Sequence, residues 1–208
     1  MYPMDNNEVL TKNWPGHPAS WIDGVLGNVG EGSPGVTNRS AIEKGQLYKY
    51  NSSVEIYRCP NEQPTKLAGK AVIRVRNYSM NGQMGGGDSS DPTDTTWVQD
   101  PKAKLAPPRK KTTDIKTPGP SQSMVLVHEN RLTIEDGYFA VKGFQNIWQN
   151  PPSSIHGNGG TLDFADGHAE YWKWRESETS KRNTWDTPGK KPIDRDLIRF
   201  QQATAVVD

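Results

Sequence analysis

The stretch TLDFADGHAEYWKW, residues 161–174, predicts two antiparallel strands joined by a tight turn. Leu162 and Phe164 alternate with polar residues before the turn, and the same period of two continues after it. Asp-Gly at 166–167 can adopt the positive φ angles that a primed two-residue turn requires. The stretch therefore predicts a β-hairpin near the C-terminal end of the chain.

Other segments supply strands that can pair with this hairpin. They are VEIYRCP at 54–60, AVIRVRNYSMNG at 71–82, SMVLVHEN at 123–130 and DGYFAV at 136–141. The continuous apolar run in SMVLVHEN predicts a strand that is buried on both faces. In the segment at 71–82, alternation places Arg74 and Arg76 on one face and Ile73 and Val75 on the other, which predicts a half-buried strand.

Helices are predicted at two places, one early and one at the C-terminus. Ser40 followed by Glu43 forms a capping-box pattern, which predicts a short helix within 40–50. Apolar residues at helical spacing in 192–204 predict a terminal helix. We therefore expect a single α+β domain over 1–208 with an antiparallel sheet. Residues 85–120, rich in Gly, Asp, Thr and Pro, predict a long loop excursion.

Composition and net charge are typical of a loop-rich globular domain. Only 32% of the 208 residues are hydrophobic, but seven Trp, seven Tyr and four Phe supply a core for a loop-rich globular domain. The net charge of +1 removes the electrostatic motive for binding nucleic acid or an anionic membrane. Cys59 is the single cysteine, so no disulfide forms within the chain. It is either a thiol whose partner is missing or a small buried apolar residue.

Catalytic motifs do not stand out in the sequence, which lacks HExxH, CxxC, GxSxG and a phosphate-binding loop. The favoured interpretation is structural: Asp166 and Gly167 make the turn, and His156 hydrogen-bonds the hairpin backbone. One alternative is a metal-dependent hydrolase that uses zinc, and another is a calcium site near Asp163 and Asp166. The residues of the hydrolase alternative are His128, Glu129, His156, Asp166 and His168.

Tryptophans in loop-like contexts suggest a second kind of function, a surface module that binds polysaccharide. The candidates are Trp14, Trp97, Trp148 and Trp185. An exposed indole offers a flat apolar face to a sugar ring, whereas a buried one fills the core, and core filling is the expected fate of most of the four.

A family resemblance links these segments. HGNGGTLDFADG at 156–167 has a histidine, nine residues and then Asp-Gly, and it resembles the signature of the prepilin-type processing-associated H-x9-DG domain. Further segments look similar to that family in the same order, and together they span nearly the whole chain. They include YRCP at 57–60, RNYSMN at 76–81, PSQSMVLVHEN at 120–130 and FADGHAEYWKW at 164–174.

The resemblance implies a β-rich head mounted on a long hydrophobic N-terminal helix with a prepilin processing site, as in type IV pilins and type II secretion pseudopilins. That helix is missing from these residues, and membrane contact and contact with other pilin-like subunits are expected through it alone. The implied role is a non-enzymatic structural subunit or minor pseudopilin, anchored in the inner membrane before assembly and then extracellular or on the cell surface.

The motif of the family is matched in this sequence at His156, Asp166 and Gly167. We expect these three residues to have a structural role. The resemblance further implies that a cysteine on the missing helix pairs with Cys59. It also implies calcium near Asp166, since related pseudopilins bind calcium in a loop near the C-terminal sheet.

Overall fold

The computed structural model describes residues 2–23, 28–86, 108–143 and 145–204. Within these ranges the chain forms four α-helices and nine β-strands. The helices are Tyr2–Asp5 (α1), Ser40–Glu43 (α2), Tyr48–Asn51 (α3) and Arg195–Thr204 (α4). The strands are Thr65–Leu67 (β1), Lys70–Val72 (β2), Tyr78–Asn81 (β3), Met124–His128 (β4), Tyr138–Phe139 (β5), Ile147–Trp148 (β6), Gly159–Phe164 (β7), Ala169–Lys173 (β8) and Thr187–Pro188 (β9).

Five of the strands form one sheet in the order β5-β3-β4-β7-β8. All neighbours are antiparallel except β3 and β5, which run parallel. The predicted α+β class with a largely antiparallel sheet and a C-terminal helix is therefore confirmed. The remaining strands pair as β1 with β2 and β6 with β9. The longest described helix, α4, has ten residues, and no described helix is long and apolar enough to cross a membrane.

The strand β4 lies at the centre of the sheet and contributes to a core on each face, as its apolar run predicts. Met124 and Val127 pack into one core with the hairpin and α4, and Leu126 packs against the other. A β-bulge between Met124 and Leu126 resets the alternation, which explains why Met124 and Val127 share a face. His128 follows Val127 and therefore faces the second core.

The hairpin of β7 and β8 is confirmed, but its turn differs from the prediction. The amide of Phe164 donates to the carbonyl of His168, which leaves a three-residue loop from Ala165 to Gly167. Gly167 has a φ of +95°, whereas Asp166 does not have a positive φ. This is the pattern of a type I turn closed by a glycine bulge, so the loop needs one left-handed residue rather than two.

The predicted terminal helix is confirmed as α4, which packs against the first core. Asp194 accepts a hydrogen bond from the amide of Leu197 at 2.9 Å, as an N-cap residue does. Leu197 and Phe200 are buried in that core, while Ile193 and Ile198 remain partly exposed. At the early helix the capping prediction is wrong: Ser40 lies inside α2, and its amide donates to the side-chain oxygen of Asn38 at 3.1 Å.

Two predicted strands are wrong or interrupted. Residues 54–60 form a 3-10 turn at Glu55–Tyr57 instead of a strand. The segment at 71–82 breaks between β2 and β3, and the predicted faces are reversed, since Arg74 and Arg76 are buried while Ile73 is 37% exposed. Buried acceptors explain the reversal: Arg74 donates to the carbonyl of Val29, and Arg76 donates to carbonyls that include that of Tyr78.

The predicted excursion at 85–120 is only partly described, because 87–107 lies outside the described residues. From residue 108 onward the chain packs against the body. Arg109 is buried and donates from Nη1 to the carbonyl of Thr204, and Ile115 is buried in the second core. The described end of the segment is therefore part of the folded domain.

Candidate functional site

Cys59, His128 and His156 converge at the end of the central strand. Nε2 of His156 lies 3.5 Å from Sγ of Cys59 and 3.1 Å from Nδ1 of His128. One ligand atom from each residue lies within 4.8 Å of the other two, and no other such trio of His, Cys, Asp or Glu occurs among the described residues. Cys59 and His128 are buried, and His156 is half-buried, so the cluster sits just below the surface.

Asn77 holds the Cys59 loop against the sheet. Its side-chain oxygen accepts from the Cys59 amide at 2.8 Å, its own amide donates to the carbonyl of Tyr57, and its carbonyl accepts from the amide of Glu129. Beyond Pro60 the chain turns back, and the amide of Asn61 donates to Sγ of Cys59 at 3.4 Å. The sulfur is therefore placed by backbone contacts on both sides.

His156 reaches the same point from the loop that precedes β7. That loop runs beside the end of β4, where the amide of Ser153 donates to the carbonyl of His128 at 2.8 Å. The hydroxyl of Tyr171, on β8, donates to the carbonyl of His156 at 2.8 Å. The side chain of His156 is thus directed toward β4, while its main chain is tied to the hairpin.

A buried ion pair lies behind His128. Glu62 and Arg74 approach to 3.3 Å, with 2% and 1% of their side-chain surfaces exposed. The other carboxylate oxygen of Glu62 lies 3.9 Å from Nε2 of His128, the ring nitrogen that faces away from the cluster. The negative charge of Glu62 favours a proton on Nε2, which leaves the lone pair on Nδ1.

The electrostatics of the cluster favour neutral imidazole. Burial and the neighbouring ring of His128 lower the pKa of His156 below its ordinary value. A neutral ring keeps a lone pair, and thiolate with imidazole is a ligand set suited to zinc and copper. A thiol beside an imidazole also resembles an activated nucleophile, but Cys59 is only 4% exposed, so its sulfur is shielded from a substrate.

The predicted role of His156 needs correction. Its ring does not hydrogen-bond the hairpin backbone but contacts Cys59 and His128. Asp166 and Gly167 lie in the turn, as predicted, although the loop has three residues instead of two. The carboxylate of Asp166 contacts the ring of His168, which lowers the pKa of Asp166 and raises that of His168.

The predicted hydrolase set does not assemble. His128 and His156 meet near the start of β7, whereas Asp166 and His168 contact each other beyond its opposite end. Glu129 follows His128 along the chain and therefore faces the other side of the sheet. There it accepts from Asn150 at 2.8 Å, and burial raises its pKa to about 8.

Sequence reasoning left Cys59 out of this set. The sequence does contain a signal for it: a single cysteine in a chain with several histidines is a candidate to share a metal site with them.

The predicted calcium site depends on Asp163 and Asp166. Asp163 lies on β7 opposite Ala169, and burial raises its pKa. Asp166 belongs to the turn and contacts His168. Neither aspartate belongs to a three-ligand group within the described ranges.

The four tryptophans differ in exposure. Trp148 is 1% exposed and donates from Nε1 to Asp194, so its predicted role as a sugar platform is wrong. Trp14 is half-buried, and Trp97 lies outside the described residues. Trp185 is 47% exposed and donates from Nε1 to the carbonyl of Thr133. It lines a cavity of about 350 Å³.

Comparisons with known proteins return no family. No family model matches the chain, and neither the characterised proteins nor the solved structures contain a match. The site is therefore interpreted from its own residues.

Proposed function

We propose that this chain is the non-enzymatic head of a pilin-like surface subunit, a structural component of an extracellular filament or of a type II secretion-like apparatus. The ordered sequence resemblance supports this proposal, and so does a body built from a largely antiparallel sheet with a C-terminal helix. An N-terminal apolar helix carries the head, anchors it in the inner membrane before assembly and contacts other subunits.

The observation that carries the proposal is the separation of the motif residues. His156 lies at one end of β7, and Asp166 and Gly167 lie at the other. Six strand residues at about 3.3 Å each place about 20 Å between them. Residues of a catalytic motif must meet at one reacting group, whereas these mark the start and the turn of a hairpin. The nine-residue spacing is thus the length of a loop and a strand, which favours a structural role.

The N-terminus of the native protein tests the proposal. The full gene product, isolated from its host by an antibody to this head, is expected to begin with a methylated residue followed by an apolar helix. Mass spectrometry of the N-terminal peptide measures this, and immunogold microscopy locates the head on surface filaments or secretion complexes. A mature protein without such a helix, found inside the cell, would contradict the proposal.

Polysaccharide binding is a second candidate, favoured by the cavity beside Trp185. Tyr138 also lines that cavity, together with the polar groups of Glu135, Asp136 and Asn150. An exposed indole next to carboxylate and amide groups is the combination that stacks on a sugar ring and hydrogen-bonds its hydroxyls.

Tryptophan fluorescence titration with neutral and acidic polysaccharides tests this candidate. We expect saturation in the native protein and its loss in Trp185→Ala. The buried Trp148 is a poor control because it supports the core, so Tyr50→Ala, at an exposed aromatic residue outside the cavity, serves instead. A flat titration of the native protein would remove the candidate.

A further inference from the structure

We propose that Cys59, His128 and His156 bind one zinc ion, through Sγ, Nδ1 and Nε2 respectively. The three side chains present their ligand atoms to one another within 4.8 Å. Thiolate and neutral imidazole are the ligands that zinc takes most often in proteins, whereas calcium and magnesium take oxygen. This inference does not depend on the surface-subunit proposal.

Two of the three separations between ligand atoms are close to those around a tetrahedral ion. Zinc lies about 2.0–2.1 Å from imidazole nitrogen and about 2.3 Å from sulfur, so tetrahedral angles place two nitrogens about 3.3 Å apart and a sulfur and a nitrogen about 3.6 Å apart. The corresponding distances are 3.1 Å between His128 and His156 and 3.5 Å between Cys59 and His156. The third pair, Sγ of Cys59 and Nδ1 of His128, lies within 4.8 Å, so these two atoms must approach each other by up to about 1.2 Å to bind one tetrahedral ion.

The groups around the ligands suit a metal site. The Asn61 amide donates to Sγ of Cys59, and such a bond stabilises a thiolate that shares its charge with an ion. Glu62 faces Nε2 of His128 and thereby directs Nδ1 toward the cluster. Arg74 holds Glu62 in that position. A histidine whose second nitrogen faces a carboxylate is the usual arrangement in zinc proteins.

Three protein ligands leave the fourth position to water or to an incoming group. The carboxylate of Glu62 lies on the side of the far nitrogen of His128 and is paired with Arg74, so it is not placed to activate that water. We therefore assign the ion a structural role. It joins the Cys59 loop, the end of β4 and the loop before β7, which lie up to 97 residues apart in sequence.

A structural ion of this kind would stabilise the folded state of this chain. The single cysteine rules out an internal disulfide, and only 32% of the residues are hydrophobic. Small or loop-rich domains gain stability from a metal that binds only the folded state. Binding releases the proton of the Cys59 thiol to solvent as the sulfur–zinc bond forms.

The native protein, stripped of metal by a chelator, tests the proposal directly. We expect one zinc per chain by isothermal titration and native mass spectrometry, and a rise in Tm of about 5–10 °C when free zinc exceeds its Kd a hundredfold. Cobalt substituted for zinc should show the visible bands of a tetrahedral ion and a near-ultraviolet sulfur-to-cobalt charge-transfer band. These measurements need no variant, so they stand even where a substitution prevents folding.

Variants assign the ligands. Cys59→Ser should abolish the charge-transfer band. His156→Ala removes a ligand, so it should weaken zinc binding by at least about 10–100-fold, the loss that follows when only a hydrogen-bond partner of a ligand is removed. His168→Ala is the matched control, because that exposed histidine contacts Asp166 and Glu170 instead of the cluster.

Three outcomes would overturn the proposal. The first is no stoichiometric zinc uptake, which would leave a hydrogen-bonded Cys-His-His trio. The second is uptake that Cys59→Ser and His156→Ala leave unchanged. The third is copper in place of zinc in protein isolated from its native host, since two histidines and a cysteine also suit copper.

Discussion

Replacing Glu62 by Gln should destabilise the fold strongly, because it leaves the guanidinium of Arg74 buried without its counter-charge. The two side chains lie 3.3 Å apart with 2% and 1% of their surfaces exposed. Removal of one partner from a buried pair costs about 3–5 kcal/mol, since the remaining charge keeps its desolvation penalty. For a chain of this size that corresponds to a fall in Tm of about 10 °C.

Glu55→Gln is the matched control for this experiment. The substitution makes the same chemical change at a glutamate that pairs with Arg39 and Arg58 and has 56% of its side chain exposed. Exposed ion pairs contribute about 0–1 kcal/mol to the free energy of unfolding, so this variant should unfold at nearly the same urea concentration as the native protein. Urea unfolding of metal-free protein, followed by circular dichroism, compares the two. Equal losses in both variants, or a loss below about 1 kcal/mol in Glu62→Gln, would contradict a buried ion pair at Glu62.

Three further substitutions test the core, a turn and an acid-sensitive contact. Leu162→Ala should lower the free energy of unfolding by about 2–5 kcal/mol, measured by urea titration, because the side chain is 0% exposed in the first core. Gly85→Ala should cost about 2 kcal/mol or more in the same assay, since φ is +78° and a Cβ would overlap a backbone carbonyl oxygen. Hydrogen bonds from Lys190 and Arg195 lower the pKa of Glu176 to about 2. Stability from Glu176 is therefore complete above about pH 4.5 and declines as the pH falls toward 2, so Glu176→Gln should flatten the pH dependence of Tm in that range.

Local signals were sufficient for several elements of the fold. The apolar run of β4, the alternating hairpin and the apolar spacing of the terminal helix α4 each depend on residues close together in sequence, and each element is confirmed. The segment at 71–82 was misjudged because Arg74 and Arg76 point inward to distant acceptors, such as the carbonyls of Val29 and Glu135. Alternation alone does not reveal such acceptors, because they come from loops.

The candidate site was partly accessible from the sequence. His128 and His156 were grouped correctly, although Glu129 was placed with them against strand alternation, which puts consecutive residues on opposite faces. Cys59 could not be placed, because its position depends on the side chain of Asn77, 18 residues away. A contact of that kind leaves no periodic pattern in the sequence.

The central position of β4 affects how the domain unfolds. Because this one strand belongs to both cores, separating either core from the sheet exposes apolar surface on both sides of it. The two halves should therefore lose structure in a single cooperative step. The amides of β4 should exchange with solvent hydrogen more slowly than those of the paired outer strands β1 and β2.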